Sequence, residues 1–162
     1  MLNLRVLDAD DWQLWRDVRL KALREAPYAF SAKLEDWQGE RDTEQRWRNR
    51  LTDVPLNVIA ELNGNAAGMF GATAPDADGA VELISMWVAP SARGRGVGDA
   101  MVASVLQWAQ MQRADSVVLA VFENNERAAD LYRRHGFVDR GRIETGVEKD
   151  PPQRRMSYVF DR

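Results

Sequence analysis

The run Arg93-Gly94-Arg95-Gly96-Val97-Gly98 is the densest concentration of potential chemistry in the chain. Its glycines allow backbone N–H groups to turn inward on a ligand with no Cβ in the way. A helix starting there adds unpaired first-turn N–H groups and the positive end of its dipole. Together these make a cradle for phosphate or pyrophosphate, to which Arg93 and Arg95 can add charge-assisted contacts. A Walker loop is excluded, since no GxxxxGK[ST] run is present. The dinucleotide fingerprint fails at its third glycine, where Asp99 stands. A second polar and aromatic run, Asn125 to Phe137, holds Tyr132 and ends on Gly136-Phe137.

Two absences narrow the chemistry further. The chain has no cysteine, and its single histidine is His135. Thiolate zinc sites, disulfide frameworks and cysteine nucleophiles are excluded. A histidine-driven triad or a His–His metal site is not expected, so no metal is expected. The reaction must run on carboxylates, tyrosine, lysine, backbone amides or a borrowed cofactor.

The elements that must position these residues follow from the patterning. Residues 2–7 alternate as a first strand, and 8–11 offer N-caps. Leu14, Trp15, Val18 and Ala22 share the face of a helix ending near Pro27. Residues 28–36 read as loop. Asp42 with Gln45 resembles a capping box for a short helix carrying Trp47 and Leu51. Strands follow at 57–62 and 66–73, joined by an Asn63-Gly64 hairpin turn, then at 81–88. Val97, Met101, Val105 and Trp108 align on a helix after the glycine loop. The apolar run 116–122 reads as a strand covered on both faces. Asn124 or Asn125 caps the next helix, whose inner face carries Ala128, Leu131, Tyr132 and His135, with Gly136 placed to end it. Two more strands are predicted near 137–147 and 154–160. The order is mixed α/β, and residues 1–162 are expected to form one domain.

Composition is that of an ordinary globular chain: 162 residues, 45% hydrophobic and 29% charged. No apolar stretch is long enough to span a membrane. The N-terminus lacks a charged-then-apolar leader pattern, so a cytoplasmic protein is expected. The net charge of −3 does not suggest a nucleic-acid partner and mildly favours a cationic small substrate. Only three of the 22 basic residues are lysines, leaving 19 arginines; most of that excess reads as coding bias.

The 93–98 run fits the (Q/R)-x-x-G-x-(G/A) signature of the GNAT acyltransferase superfamily. Asn125-x-x-Ala128-x-x-Leu131-Tyr132-x-x-x-Gly136-Phe137 resembles the second signature of that family, and the element order is similar throughout. The resemblance implies a mixed, mostly antiparallel sheet with helices on both faces and a splayed parallel strand pair at the coenzyme A site. It implies acetyl-CoA as co-substrate and transfer to an amine in a ternary complex. Met86, Trp87 and Val88 would lend backbone groups to the pantetheine arm. Residues 93–98, the Asp99 N–H, Asn125 and Ala128 complete the cofactor site. Tyr132 would be the acid that protonates the departing thiolate. Glu82, which under strict alternation shares a face with Ile84, Met86 and Val88, is the candidate base; Glu61 and Glu123 are weaker ones. Ala120 stands where other members carry a glutamate. His135 reads as a helix C-terminal residue favoured by the dipole.

Tyr28, Phe30 and Trp37 are candidates for the wall of the acceptor site, and the acceptor is expected to be chosen by loops 27–42 and 145–153. The best-supported function is transfer to a primary amine of a small molecule, with polyamines, amino-acid derivatives and amine antibiotics as candidates. Acetylation of protein N-termini or lysines, and a non-catalytic CoA-binding regulatory module, are the alternatives. Family members often pair, so a homodimer is expected.

Overall fold

The computed structural model describes residues 1–30, 32–143 and 151–161. Seven strands form one sheet in the order β1-β2-β3-β4-β5-β7-β6. Strand β1 (Leu2–Val6) pairs with β2 (Leu56–Leu62), which turns into β3 (Asn65–Ala72). The turn is the expected Asn63-Gly64 pair, with φ positive at both residues (54° and 85°), as a twist-matched two-residue hairpin requires. Strand β4 (Ala80–Val88) runs antiparallel to β3. Strand β5 (Ser116–Phe122) is parallel to β4, and β7 (Gln153–Val159) runs antiparallel between β5 and β6 (Val138–Ile143). Of the last expected strand pair, residues 144–147 lie outside the described residues.

Helices cover opposite faces. Helices α1 (Trp12–Glu25) and α2 (Glu44–Asp53) lie on one face of β1–β4. Helices α3 (Val97–Met111) and α4 (Glu126–Arg134) lie on the other. Gly71 and Gly68 of β3 report the two sides. A side chain on Gly71 would meet Arg50 of α2, and one on Gly68 would meet Val97 and Met101 of α3. The core packs between these layers around Trp15, Trp47, Ile59, Met69, Phe70 and Met101, all fully buried.

Three local readings change. Helix α2 is capped by Thr43, whose hydroxyl accepts from the Arg46 N–H at 3.3 Å. Asp42 is released for a tertiary role: it accepts from Arg16 of α1 and from Trp47 Nε1 at 2.7 Å. The 28–36 segment contains two helical turns, Pro27–Ala29 and Leu34–Trp37. Strand β5 is covered on one face only: Val117, Leu119 and Val121 are buried, while Ala120 is exposed. The cause is its neighbour. Strands β4 and β5 pair only from Ala80↔Ser116 to Glu82↔Val118, and then part.

Strand β4 also carries a bulge. Gly71 faces Ile84 and Met69 faces Trp87, so Ser85 and Met86 together oppose Phe70. Ser85 sits at φ 58°, unusual for a residue with a side chain. The extra residue breaks the strict alternation assumed for this strand. Ile84 stays on the α2 side beside Arg50 and Asn57, whereas Val88 points to the α3–α4 side, near Gly98. Glu82 therefore shares its face with Ile84 and not with Val88.

Candidate active site

Where β4 and β5 separate, a cleft of about 1510 Å³ opens between the two halves of the sheet. One end is made by the start of α3. Gly94 and Gly96 adopt φ 76° and 83°, a conformation disfavoured for L side chains, and open space lies where a Cβ would stand. Gly96 is the N-cap and supplies no side chain. The first helical bond runs from the Ala100 N–H to the Gly96 carbonyl, so the N–H groups of residues 97–99 precede the intrahelical ladder. Gly98 lets α4 approach: a Cβ there would lie 2.9 Å from Leu131 Cδ2. These features fit a pyrophosphate, since backbone donors and a positive dipole end converge on unfilled space.

The arginines of this loop are used differently than expected. Arg93 Nη2 bonds Glu25 at 3.0 Å and its Nε bonds the Val88 carbonyl at 3.2 Å. Trp87 Nε1 bonds the same Glu25 at 2.8 Å, so Glu25 ties the end of α1 to the end of β4. Arg95 is exposed and does not line the cleft. Arg127 and Arg134 do line it. Sequence reading passed over both, although they share a helical face with Leu131 at i, i+4 and i+7. Asp99 lines the cleft too, and its carboxylate accepts from His135 Nε2 at 2.8 Å and Arg134 Nη2 at 2.9 Å. These contacts hold its pKa below the ordinary value and fasten α3 to α4.

Tyr132 is positioned by two helix ends. Asn125 caps α4 by accepting from the Ala128 N–H at 3.4 Å. At the other end Gly136, at φ 92°, permits a Schellman motif: Phe137 N–H to the Tyr132 carbonyl and Gly136 N–H to the Arg133 carbonyl. The Tyr132 ring packs on Phe137 with centroids 5.8 Å apart. The residue is only 5% exposed, yet it lines the cleft, and its hydroxyl has no hydrogen-bond partner among the described residues. Burial pushes the phenol above its ordinary pKa, so it stays protonated at neutral pH and beyond.

The other end of the cleft is walled by Tyr28 and Phe30. Trp37 is a correction. It stacks on Trp47 at 4.4 Å and under the Arg46 guanidinium at 4.0 Å, packing α2 away from the cleft. Glu82 lines the cleft at the last paired position before β4 and β5 part, opposite Val118, and Ala120 lines it further along β5. Glu123 is engaged elsewhere, bonded by Arg142 and Arg154. Most of the 145–153 loop lies outside the described residues. Met86, Trp87, Val88, Val97, Asn125 and Ala128 all line the cleft as expected from the resemblance.

Two buried donors of the α1 side have no partner among the described residues: Trp15 Nε1 and Arg19 Nη1. Arg19 lines the cleft, lies over the Phe30 ring at 4.5 Å and is 9% exposed. Burial, reinforced by the nearby Arg50, pulls its pKa down to about 10. Sequence reading missed it, but a signal was present: Arg19 occupies the apolar face of α1, four residues after Trp15 and three before Ala22. Among the described residues no group of three or more His, Cys, Asp and Glu is arranged to hold a metal. Nor is any helix there long and apolar enough to cross a membrane.

Comparison with known proteins agrees with this geometry. The model of the acetyltransferase (GNAT) family matches residues 15–137, and the chain belongs to that family. Human N-acetylaspartate synthetase is 35% identical over 83 residues, 51% of this chain and 28% of that protein. The spermine/spermidine N(1)-acetyltransferase of Bacillus subtilis is 32% identical over 73 residues, 44% of this chain and 48% of that protein. The chain thus spans less than half the length of these curated relatives. A GNAT acetyltransferase structure from Streptococcus pneumoniae superposes with TM-score 0.83 at 23% identity, covering 99% of this chain and 100% of that one. The spermidine N-acetyltransferase of Vibrio cholerae, solved with CoA and spermine, gives 0.77 at 18% identity, covering 98% and 95%. These structural likenesses establish the fold.

Proposed function

We propose that this chain transfers an acetyl group from acetyl-CoA to the primary amine of a small molecule, by direct attack in a ternary complex. One observation carries the reading: a single cleft joins a backbone pyrophosphate cradle to a buried, protonated and unpartnered phenol. Acetyl-CoA supplies the acyl group as a thioester, so the new N–C bond forms as the C–S bond breaks. The protein's own residues have three tasks. The turn at Gly94 and Gly96 and the start of α3 hold the pyrophosphate. The unpaired edge of β4 beyond Glu82 offers backbone groups to an extended, peptide-like arm, as in strand addition. Tyr132 delivers the proton that the departing sulfur needs, while Glu82, directly or through water, takes one from the amine.

A small amine is supported from two sides. The acceptor end of the cleft is walled by Tyr28 and Phe30 and floored by α1. The relatives' names describe acetylated small amines, one an amino acid and the other a polyamine. The test is thiol release from acetyl-CoA across a panel of small amines and peptides. Turnover with a small amine supports the reading. Turnover confined to peptide N-termini or lysines would replace it with protein acetylation. Tight CoA binding with no release from any acceptor would indicate a regulatory module instead.

A further inference from the structure

We propose that the acceptor is a free amino acid, an amine that also carries a carboxylate, and that Arg19, backed by Arg50, reads that carboxylate at the α1 side of the cleft. This rests on the acetyl-transfer reading above and names its substrate class.

The observation is a contrast among the arginines. Arg5, Arg16, Arg41, Arg48, Arg93, Arg133, Arg134, Arg142 and Arg154 each pair with an aspartate or glutamate, and most of these pairs lie near the surface. Arg19, the buried arginine, and Arg50, largely removed from solvent, have no such pair among the described residues. Arg19 Nη1 has no hydrogen-bond partner at all among the described residues, although its side chain lines the cleft. Arg50 is held only by neutral groups: Nη1 donates to Asn57 Oδ1 at 2.6 Å and Nη2 to Ser85 Oγ at 3.3 Å. Its guanidinium lies over the Trp15 ring at 4.8 Å. Each cation is thus desolvated without a counter-ion among the described residues, an arrangement that disfavours the folded state unless something offsets it. The pKa of both guanidiniums is lowered to about 10 by burial, so both remain charged at neutral pH.

The missing partner is an anion that enters with the substrate. A guanidinium presents a planar fork of donors matched to a carboxylate, and desolvation strengthens the pair. The scaffold keeps the fork in place. Arg19 lies over the Phe30 ring, while Asn57, fixed by its bonds to the Leu51 and Val54 carbonyls, and Ser85, turned by the β4 bulge, hold Arg50. Polyamines are disfavoured by the same groups. A second ammonium would meet the Arg19 cation, with Arg50 behind it, and Glu82 is the carboxylate lining the α1 half of the cleft among the described residues. One carboxylate beside two cations suits a zwitterion: ammonium toward Glu82, carboxylate toward Arg19.

The experiment measures thiol release with saturating acetyl-CoA for the proteinogenic L-amino acids, the α-carboxamide of each, the side-chain carboxamides of aspartate and glutamate, and spermidine. At least one amino acid is expected to show kcat/KM about 100-fold above its carboxamide and above spermidine. In Arg19→Gln that ratio should fall below about tenfold through a raised KM for the acid, with the KM for acetyl-CoA unchanged. Equal or better use of the carboxamide or of spermidine overturns the inference while leaving acetyl transfer standing. A protein that binds CoA but consumes no acceptor also overturns it. Failure to bind CoA removes the reading beneath it. Because Arg19 is buried, Arg19→Met is melted alongside. Its Tm without acceptor should match or exceed the wild type, since an unpaired buried charge has gone. A large fall in Tm with an unchanged acid-to-carboxamide ratio would assign Arg19 to structure alone.

Discussion

The two ends of the cleft are built from different materials. At the donor end the working groups are mainly backbone, supplied by one contiguous stretch from Val88 to Asp99 with α4 leaning on it. Gly94 and Gly96 shape it by conformation, and Gly98 by letting Leu131 come close. At the end proposed for the acceptor the cleft is lined by side chains gathered from α1, the segment after it and β4: Arg19, Tyr28, Phe30, Glu82 and Ser85. A backbone site reads a feature common to every acyl donor of its kind, its pyrophosphate and peptide-like arm. A side-chain site reads what differs from one acceptor to the next. The donor end can therefore stay the same while the acceptor end changes.

That division can be broken or sharpened by separating effects on the two substrates. The largest expected effect lies where the ends meet. Tyr132→Phe removes the proposed proton donor and keeps the ring, so kcat should fall about 10²- to 10⁴-fold with little change in either KM. A fall confined to one KM would make Tyr132 a binding group. On the acceptor side, Asp42 links α1 to α2 through Arg16 and Trp47, and these bonds depress its pKa from 3.8 to about 2. A depressed carboxyl stabilises the fold above its unfolded value, and that contribution is lost as pH falls from about 4 toward 2. Asp42→Asn should therefore lower stability at pH 7 by about 1 kcal/mol in denaturant titration, since solvent screens the pair, and flatten the acid limb. If the two ends are independent, it raises the acceptor KM and leaves the acetyl-CoA KM alone.

A smaller effect is expected on the donor side. Gly96→Ala forces a methyl-bearing residue to φ 83°, at about 1–2 kcal/mol. The acetyl-CoA KM should rise about tenfold while discrimination among acceptors is unchanged. Asn125→Ala, which removes the α4 cap, should cost about 1 kcal/mol of stability by thermal melting and a modest loss of kcat through Tyr132. Were either donor-side change to alter which acceptors are used, the ends would be coupled.

The same division explains what could be read from the chain. The glycine turn, the α4 cap, the Gly136 terminator and the Asn63-Gly64 hairpin were legible because each is a local rule acting on neighbours in sequence. The parallel pairing of β4 and β5 came through the family resemblance and not through a local rule, and the face assignment of Ile84 and Val88 was not legible, because one inserted residue in β4 changes it. Trp37 was misplaced since an aromatic in a loop looks the same whether it faces a cleft or Trp47. Asp42 looked like a cap because the capping pattern does not reveal that Thr43, one residue later, does the work. Arg19 was within reach, as a charge on an apolar helix face, but its meaning depended on Arg50, Phe30 and the absence of an acid beside it. No sequence interval encodes that.

The bulge at Ser85 and Met86 has a further consequence, best put as parity. Up to Ile84, even-numbered residues of β4 belong to the α1–α2 side; from Trp87 onward the odd-numbered ones do. The switch lets Trp87 reach Glu25 while Val88 seats against α3 and α4. Were Ser85 and Met86 both paired in a regular ladder, one parity would run along the whole strand and the Trp87 and Val88 side chains would exchange faces. The sequence would be the same and the strand would survive, but α1 would lose the tie it makes to the end of β4 through Glu25 and Trp87.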